Sequence, residues 1–120
     1  MDRDSIKKVC ELPIDFKKEN KSAFQLSKES GFTNVNKNDT ISKIKEYLQA
    51  HVSLIDLWEI WSQDKRTTEG FYLILGNKNI VGYFGATYKR KEVAYKTAID
   101  ACSEFIFLEM SQILNLTIID

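Results

Sequence analysis

The sequence predicts an α+β domain in which helices come first, about three short antiparallel strands follow, and one long helix closes the chain. Three observations carry this. Apolar residues recur at helical spacing in the first half, short aromatic and β-branched runs separated by turn-forming residues occupy the middle, and the helical period returns from Glu92 onward. Helices, then consecutive strands, then a helix describe segregated elements rather than the βαβ alternation of a parallel sheet.

A chain of 120 residues is long enough for one ordinary core, so residues 1–120 are expected to form a single domain. Its 43% apolar and 28% charged content is that of a folded protein rather than a disordered one. The apolar stretch Ile6 to Leu12 precedes the only proline, Pro13, and predicts a short helix ending before it. A second helix is expected over Lys21 to Ser30, closed by Gly31 as C-cap with Phe32 folding back. In Asn38-Asp39-Thr40 a capping residue precedes Ile41, Ile44 and Leu48, which share one helical face and predict a third helix running to about His51. Strands are then expected at roughly 57–62, 71–75 and 80–85, with Gly76-Asn77-Lys78-Asn79 as the turn between the second and third. The closing helix, roughly 92–114, places Tyr95, Cys102, Phe105, Ile106 and Met110 on one stripe that should cover a face of the sheet.

Composition narrows the chemistry. Lysine plus arginine and aspartate plus glutamate both total 17, so no global field draws the chain to nucleic acid or an anionic membrane, and electrostatic recognition has to be local. No apolar run approaches the roughly 18 residues of a membrane span, and MDRDSIKKVC does not read as a signal peptide; a cytoplasmic protein is expected. Cys10 and Cys102, each among apolar neighbours, fit reduced, half-buried thiols.

A metal centre is not expected from one histidine, His51, without CxxC, HExxH or an aspartate-rich loop. Neither glycine-rich phosphate motif is present, and Gly82 and Gly85 read as strand or turn residues. Cys102 falls on a core stripe, where a thiol behaves as a small hydrophobe rather than a nucleophile. Tyr88-Lys89-Arg90-Lys91 after Tyr83 and Phe84 is the one candidate for single-stranded nucleic acid, but three charges are a small footprint and a solvated loop preceding a helix is the favoured account.

Two features favour a protein partner instead. Helical projection puts Phe107 and Leu108 on the flanks of a polar side carrying Asp100 and Glu104, so that exposed apolar groups would sit beside carboxylates facing a basic partner; the competing expectation is that the N-terminal helices cover Phe107 as core. The second is the segment Trp61 to Gly70, read as a hairpin loop, where Asp64, Lys65 and Arg66 either contact a partner or tie the loop internally, with Arg66 stacking on Trp61 or pairing with a helix carboxylate.

That segment also carries a likeness. Ile55-Asp56, Trp58, Trp61-Ser62-Gln63-Asp64-Lys65-Arg66-Thr67 and an aromatic after Gly70, followed by Ala101-Cys102-Ser103-Glu104-Phe105-Ile106 and Glu109, resemble small bacterial immunity proteins of polymorphic toxin and contact-dependent growth inhibition systems. The resemblance implies a non-enzymatic chain, without cofactor, that binds the C-terminal domain of a delivered toxin, often a nuclease with a basic cleft, as a monomer or weak dimer. Trp61, Asp64, Lys65 and Arg66 of the resembling block, which is either scaffold or contact surface, and Asp100, Glu104 and Phe107 from the helical projection are the possible partner-binding residues. The alternatives are a general adaptor module and, behind it, a small nucleic-acid-binding protein.

Overall fold

The computed structural model describes residues 1–86 and 91–118. Tyr88, Lys89 and Arg90 of the nucleic-acid candidate lie outside them. Among the described residues, six helices and a three-stranded antiparallel sheet form the α+β arrangement expected, with the long helix last. The helices are α1 (Arg3–Cys10), α2 (Leu12–Lys18), α3 (Ala23–Ser30), α4 (Lys37–Ala50), α5 (Ser53–Gln63) and α6 (Ala98–Ile113). The strands β1 (Gly70–Ile74), β2 (Asn79–Phe84) and β3 (Val93–Tyr95) pair in that order.

The N-terminal half follows local rules. Asp2 caps α1 by accepting the Ser5 N–H at 2.8 Å. Pro13 does follow the end of α1, but it stands in the first turn of a further helix, α2, where its missing N–H costs nothing. Ser22 caps α3, and Gly31 ends it with φ +77°, a conformation that side chains disfavour. α4 begins at Lys37, slightly ahead of the Asn38-Asp39-Thr40 signal, and buries Thr40, Ile44 and Leu48.

Three expectations are corrected from the middle of the chain onward. Residues 57–62 are not a strand but lie inside α5, whose buried residues Leu54, Ile55, Trp58 and Ser62 recur at helical spacing. A strand would have aligned Trp58, Ile60 and Ser62 on one face, yet Ile60 is 45% exposed while Trp58 is wholly buried. Aromatic and β-branched composition favoured a strand, but the burial period decided the element. The segment from Trp61 to Gly70 is therefore not a hairpin loop: Trp61, Ser62 and Gln63 belong to α5, and Asp64 to Glu69 connect that helix to β1. The third strand is instead Val93–Tyr95, inside what had read as the closing helix. α6 begins only where Thr97 can cap it, accepting the Asp100 N–H at 3.1 Å.

In the sheet, Phe71 lies opposite Tyr83 and Leu73 opposite Val81, which places these four on the face covered by α6. The opposite face carries Tyr72, Ile74, Ile80, Phe84 and, at the register of β2, Gly82. Gly82 is required there: the Tyr72 ring lies against it where a Cβ would stand.

α6 is the axis of the fold. It packs on the sheet, α3, α4 and α5, so every residue from Ala101 to Ser111 is buried and the polar outer side expected of it does not exist. Trp58 joins this helix to the N-terminal ones: its ring meets Phe105 at 6.1 Å between centroids and its indole N–H donates to the Cys10 carbonyl at 2.8 Å. Cys10 and Cys102 are free and more deeply buried than expected. Burial, and secondarily the Glu11 carboxylate, pushes the Cys10 thiol up to about 12.

Truncating Trp58 to alanine removes a fully buried aromatic and its hydrogen bond, and is expected to lower stability by about 3 to 5 kcal/mol in equilibrium denaturant unfolding; a loss below about 1 kcal/mol would contradict the packing described.

Candidate functional site

The densest polar arrangement lies where α5, its connector and α6 meet β1. Among the described residues β1 pairs with β2 alone, so alternate backbone groups along its other side have no strand there to receive them. Three side chains meet those groups. Ser62 Oγ accepts the Leu73 N–H at 2.8 Å, Glu59 Oε2 accepts the Leu75 N–H at 2.9 Å, and Lys65 Nζ donates to the Phe71 carbonyl at 2.7 Å.

Lys65 reaches further inward. Its ammonium stands 2.5 Å from Glu109 Oε1 and 5.5 Å from the centre of the Phe105 ring, and Glu109 Oε2 accepts the Trp61 indole N–H at 2.8 Å. Glu109 Oε1 has no directed hydrogen bond, so its compensation is the ionic contact with Lys65. With 3% of the Glu109 side chain and 10% of the Lys65 side chain exposed, neither charge is tolerable without the other. A second tie fixes the start of β1: Tyr83 donates to Glu69 at 2.9 Å, and Gln112 of α6 donates to the Tyr83 hydroxyl at 3.3 Å.

The structure brings together two of the residues singled out from sequence, Trp61 and Lys65, around Glu109. An internal tie to a helix carboxylate was expected of Arg66, but Lys65 makes it; Arg66 and Asp64 are exposed. The remaining three lie on α6 and are engaged with the N-terminal helices. Asp100 pairs with Lys45 at 2.9 Å and Glu104 with Lys37 at 3.0 Å. Phe107 is not an exposed flank: it is 4% exposed, its ring meets Phe32 at 5.6 Å, and the Lys37 ammonium stands 5.8 Å from its centre. The competing expectation, Phe107 as core under the N-terminal helices, describes it.

Reading 57–62 as a strand hid another set of residues. On α5, Asp56, Ile60 and Asp64 follow one another at i, i+4 and i+8, with Leu57 and Trp61 in the adjoining row. Phe16 of α2, 45% exposed, meets Trp61 edge-on at 5.3 Å. Reading α5 as a helix would have revealed the row; the approach of Phe16 is set only by packing.

An open groove of about 930 Å³ runs between α1 and α4, lined by residues including Arg3, Lys43, Glu46, Tyr47 and His51. The His51 ring stacks on Tyr47 with 4.2 Å between centroids, and Tyr47 donates a short hydrogen bond to Glu11. Burial, with the neighbouring Glu11 carboxylate, holds the Tyr47 phenol well above its ordinary range. Among the described residues no group of three potential metal ligands converges, and no helix is long and apolar enough to cross a membrane.

Compared with known proteins, the chain matches no family model, no curated protein and no solved structure.

Two predictions follow from this geometry. Glu109→Gln and Lys65→Met each leave a buried charge unmatched and are expected to cost about 3 kcal/mol or more in denaturant unfolding. The double variant should lose less than the sum by at least about 1 kcal/mol; strict additivity would show that the pair is not coupled. The alkaline limb offers another measurement. Burial, and then the hydrogen bond to Glu92, push the Tyr72 phenol from 10.0 up to about 12. A raised folded value means stability that is complete below pH 10.0 and is lost as pH climbs through about 12. Over that interval Tyr72→Phe should show a shallower fall in unfolding free energy than the parent chain, and equal slopes would exclude the linkage.

Proposed function

We propose that this chain is an immunity protein: it binds and neutralises a cognate bacterial toxin domain, and so protects the producing cell and its siblings. Supporting the reading is the place of the residues that carry the resemblance. Trp58, Trp61, Ser62, Lys65, Phe105 and Glu109 form one connected framework joining α5, β1 and α6, fixed by directed hydrogen bonds and a buried ion pair. A likeness concentrated in such positions is a likeness of scaffold, because those residue types are the ones whose loss leaves a buried group unmatched.

Neutralisation by steric and electrostatic occlusion asks little more than a rigid surface, since a partner loses least free energy when the receiving side chains are already ordered. It needs no cofactor. Such a protein would act in the cytoplasm, where the delivered domain does its damage, and as a one-to-one complex. The general adaptor reading shares the framework but has no defined partner.

The test is co-purification and calorimetric titration with the C-terminal domain encoded directly upstream, together with growth of cells expressing that domain with and without this chain. A one-to-one complex in the nanomolar range, on the order of −12 kcal/mol, with restored growth is expected. No complex and no protection would overturn the reading.

A further inference from the structure

We infer that the exposed flank of α5, with Phe16 of α2 beside it, is the surface on which this chain receives a basic, lysine- or arginine-bearing face of its protein partner. The inference rests on the immunity reading and adds to it the contact surface and the chemistry of the partner.

The flank is apolar at its centre. Leu57, Ile60 and Trp61 are neighbours on the helical surface, Ile60 and Phe16 are each 45% exposed, and Phe16 leans against the Trp61 ring. Trp61 is already held by Glu109, so its exposed edge is offered in a fixed orientation. An ordered aromatic edge beside half-exposed aliphatic groups is the usual anchor of an interface.

Charge selects the partner. Carboxylates elsewhere on the helices are mostly engaged: Asp4, Glu29, Asp39, Asp100, Glu104 and Glu109 in ion pairs, Asp2 as a cap and Glu59 on the edge of β1. Asp56 and Asp64, at the two ends of the Ile60 row, have no hydrogen-bonded or ionic side-chain partner among the described residues. α5 itself carries no lysine or arginine. Asp64 is also placed against its own stability. It is the C-cap of α5, where the helix presents unsatisfied carbonyl groups and a negative end, and a carboxylate there is unfavourable. A cation supplied by a partner would be attracted by the carboxylate and the helix terminus together, and would approach an apolar centre that it can cover. Arg66, the nearest exposed cation in sequence, pairs with neither aspartate.

The test titrates four full-length proteins with the C-terminal domain encoded directly upstream, at low and high salt: the parent chain, Asp64→Lys, Ile60→Asp and, as a control on the α1–α4 groove, Glu46→Lys. Asp64→Lys should weaken binding about tenfold or more, chiefly through a slower association rate, with the gap narrowing at high salt. The same variant should melt roughly 1 to 4 °C higher, because it removes the unfavourable cap. A merely structural role would not raise stability while lowering affinity. Ile60→Asp should weaken binding about thirtyfold or more, and Glu46→Lys should change it by less than about twofold. If the parent chain binds and all three variants bind alike, the surface is overturned and the immunity reading stands. If the parent chain binds nothing, both fall. Self-association of the chain alone that Ile60→Asp abolishes would overturn the proposal by naming a second copy as the occupant.

Discussion

Among the described residues one side of β1 has no neighbouring strand, and the way the chain meets that constraint organises the structure around it. Unpaired edge groups inside a protein cost free energy unless something satisfies them. Here Ser62, Glu59 and Lys65 do so from a helix and its connector rather than from a further strand. α5 is thereby fixed in register against the sheet, and the edge is closed to a foreign strand.

The use of a lysine for this purpose has consequences further inside. An ammonium brought to the Phe71 carbonyl lies within the core boundary and needs an anion, which Glu109 provides from the middle of α6. Glu109 in turn needs a second donor, which Trp61 provides. Strand edge, connector, central helix and tryptophan thus form one chain of dependencies. An apolar substitute could not donate to the Phe71 carbonyl, so the ionic solution specifies one arrangement of α5 and α6. The closing of charges around α6 continues on its other side, where Lys37 and Lys45 of α4 take up Glu104 and Asp100.

A surface for a partner is therefore to be sought where charges are left over. α6 offers none, since it is enclosed. α5 is half-buried by the demands of β1, and its remaining flank keeps Ile60, Asp56 and Asp64 toward solvent. Within one helix, then, one face is committed to the framework while the other is left to solvent.

The sequence by itself determined the elements that obey local rules: α3 with its glycine cap, most of α4, the β1–β2 hairpin around Gly76 and Asn77, and the α+β order. In these, backbone conformation and short-range capping decide the outcome. It did not determine α5, because Leu57 to Ser62 has the composition of a strand and only burial against β1, α6 and α2 selects the helical period. Nor did it determine the surroundings of α6. Helical periodicity marks an apolar stripe but assumes that the other side meets water. That side is covered by α3 and α4, so Phe107 became core and Glu104 an ion-pair partner. The pairing of Lys65 with Glu109 was equally out of reach, since contacts between residues so distant in sequence are fixed by packing rather than by spacing. The tertiary structure alone decided which charges were paired inside the fold and which, like Asp64, stayed exposed to solvent, because pairing depends on which helix faces pack together.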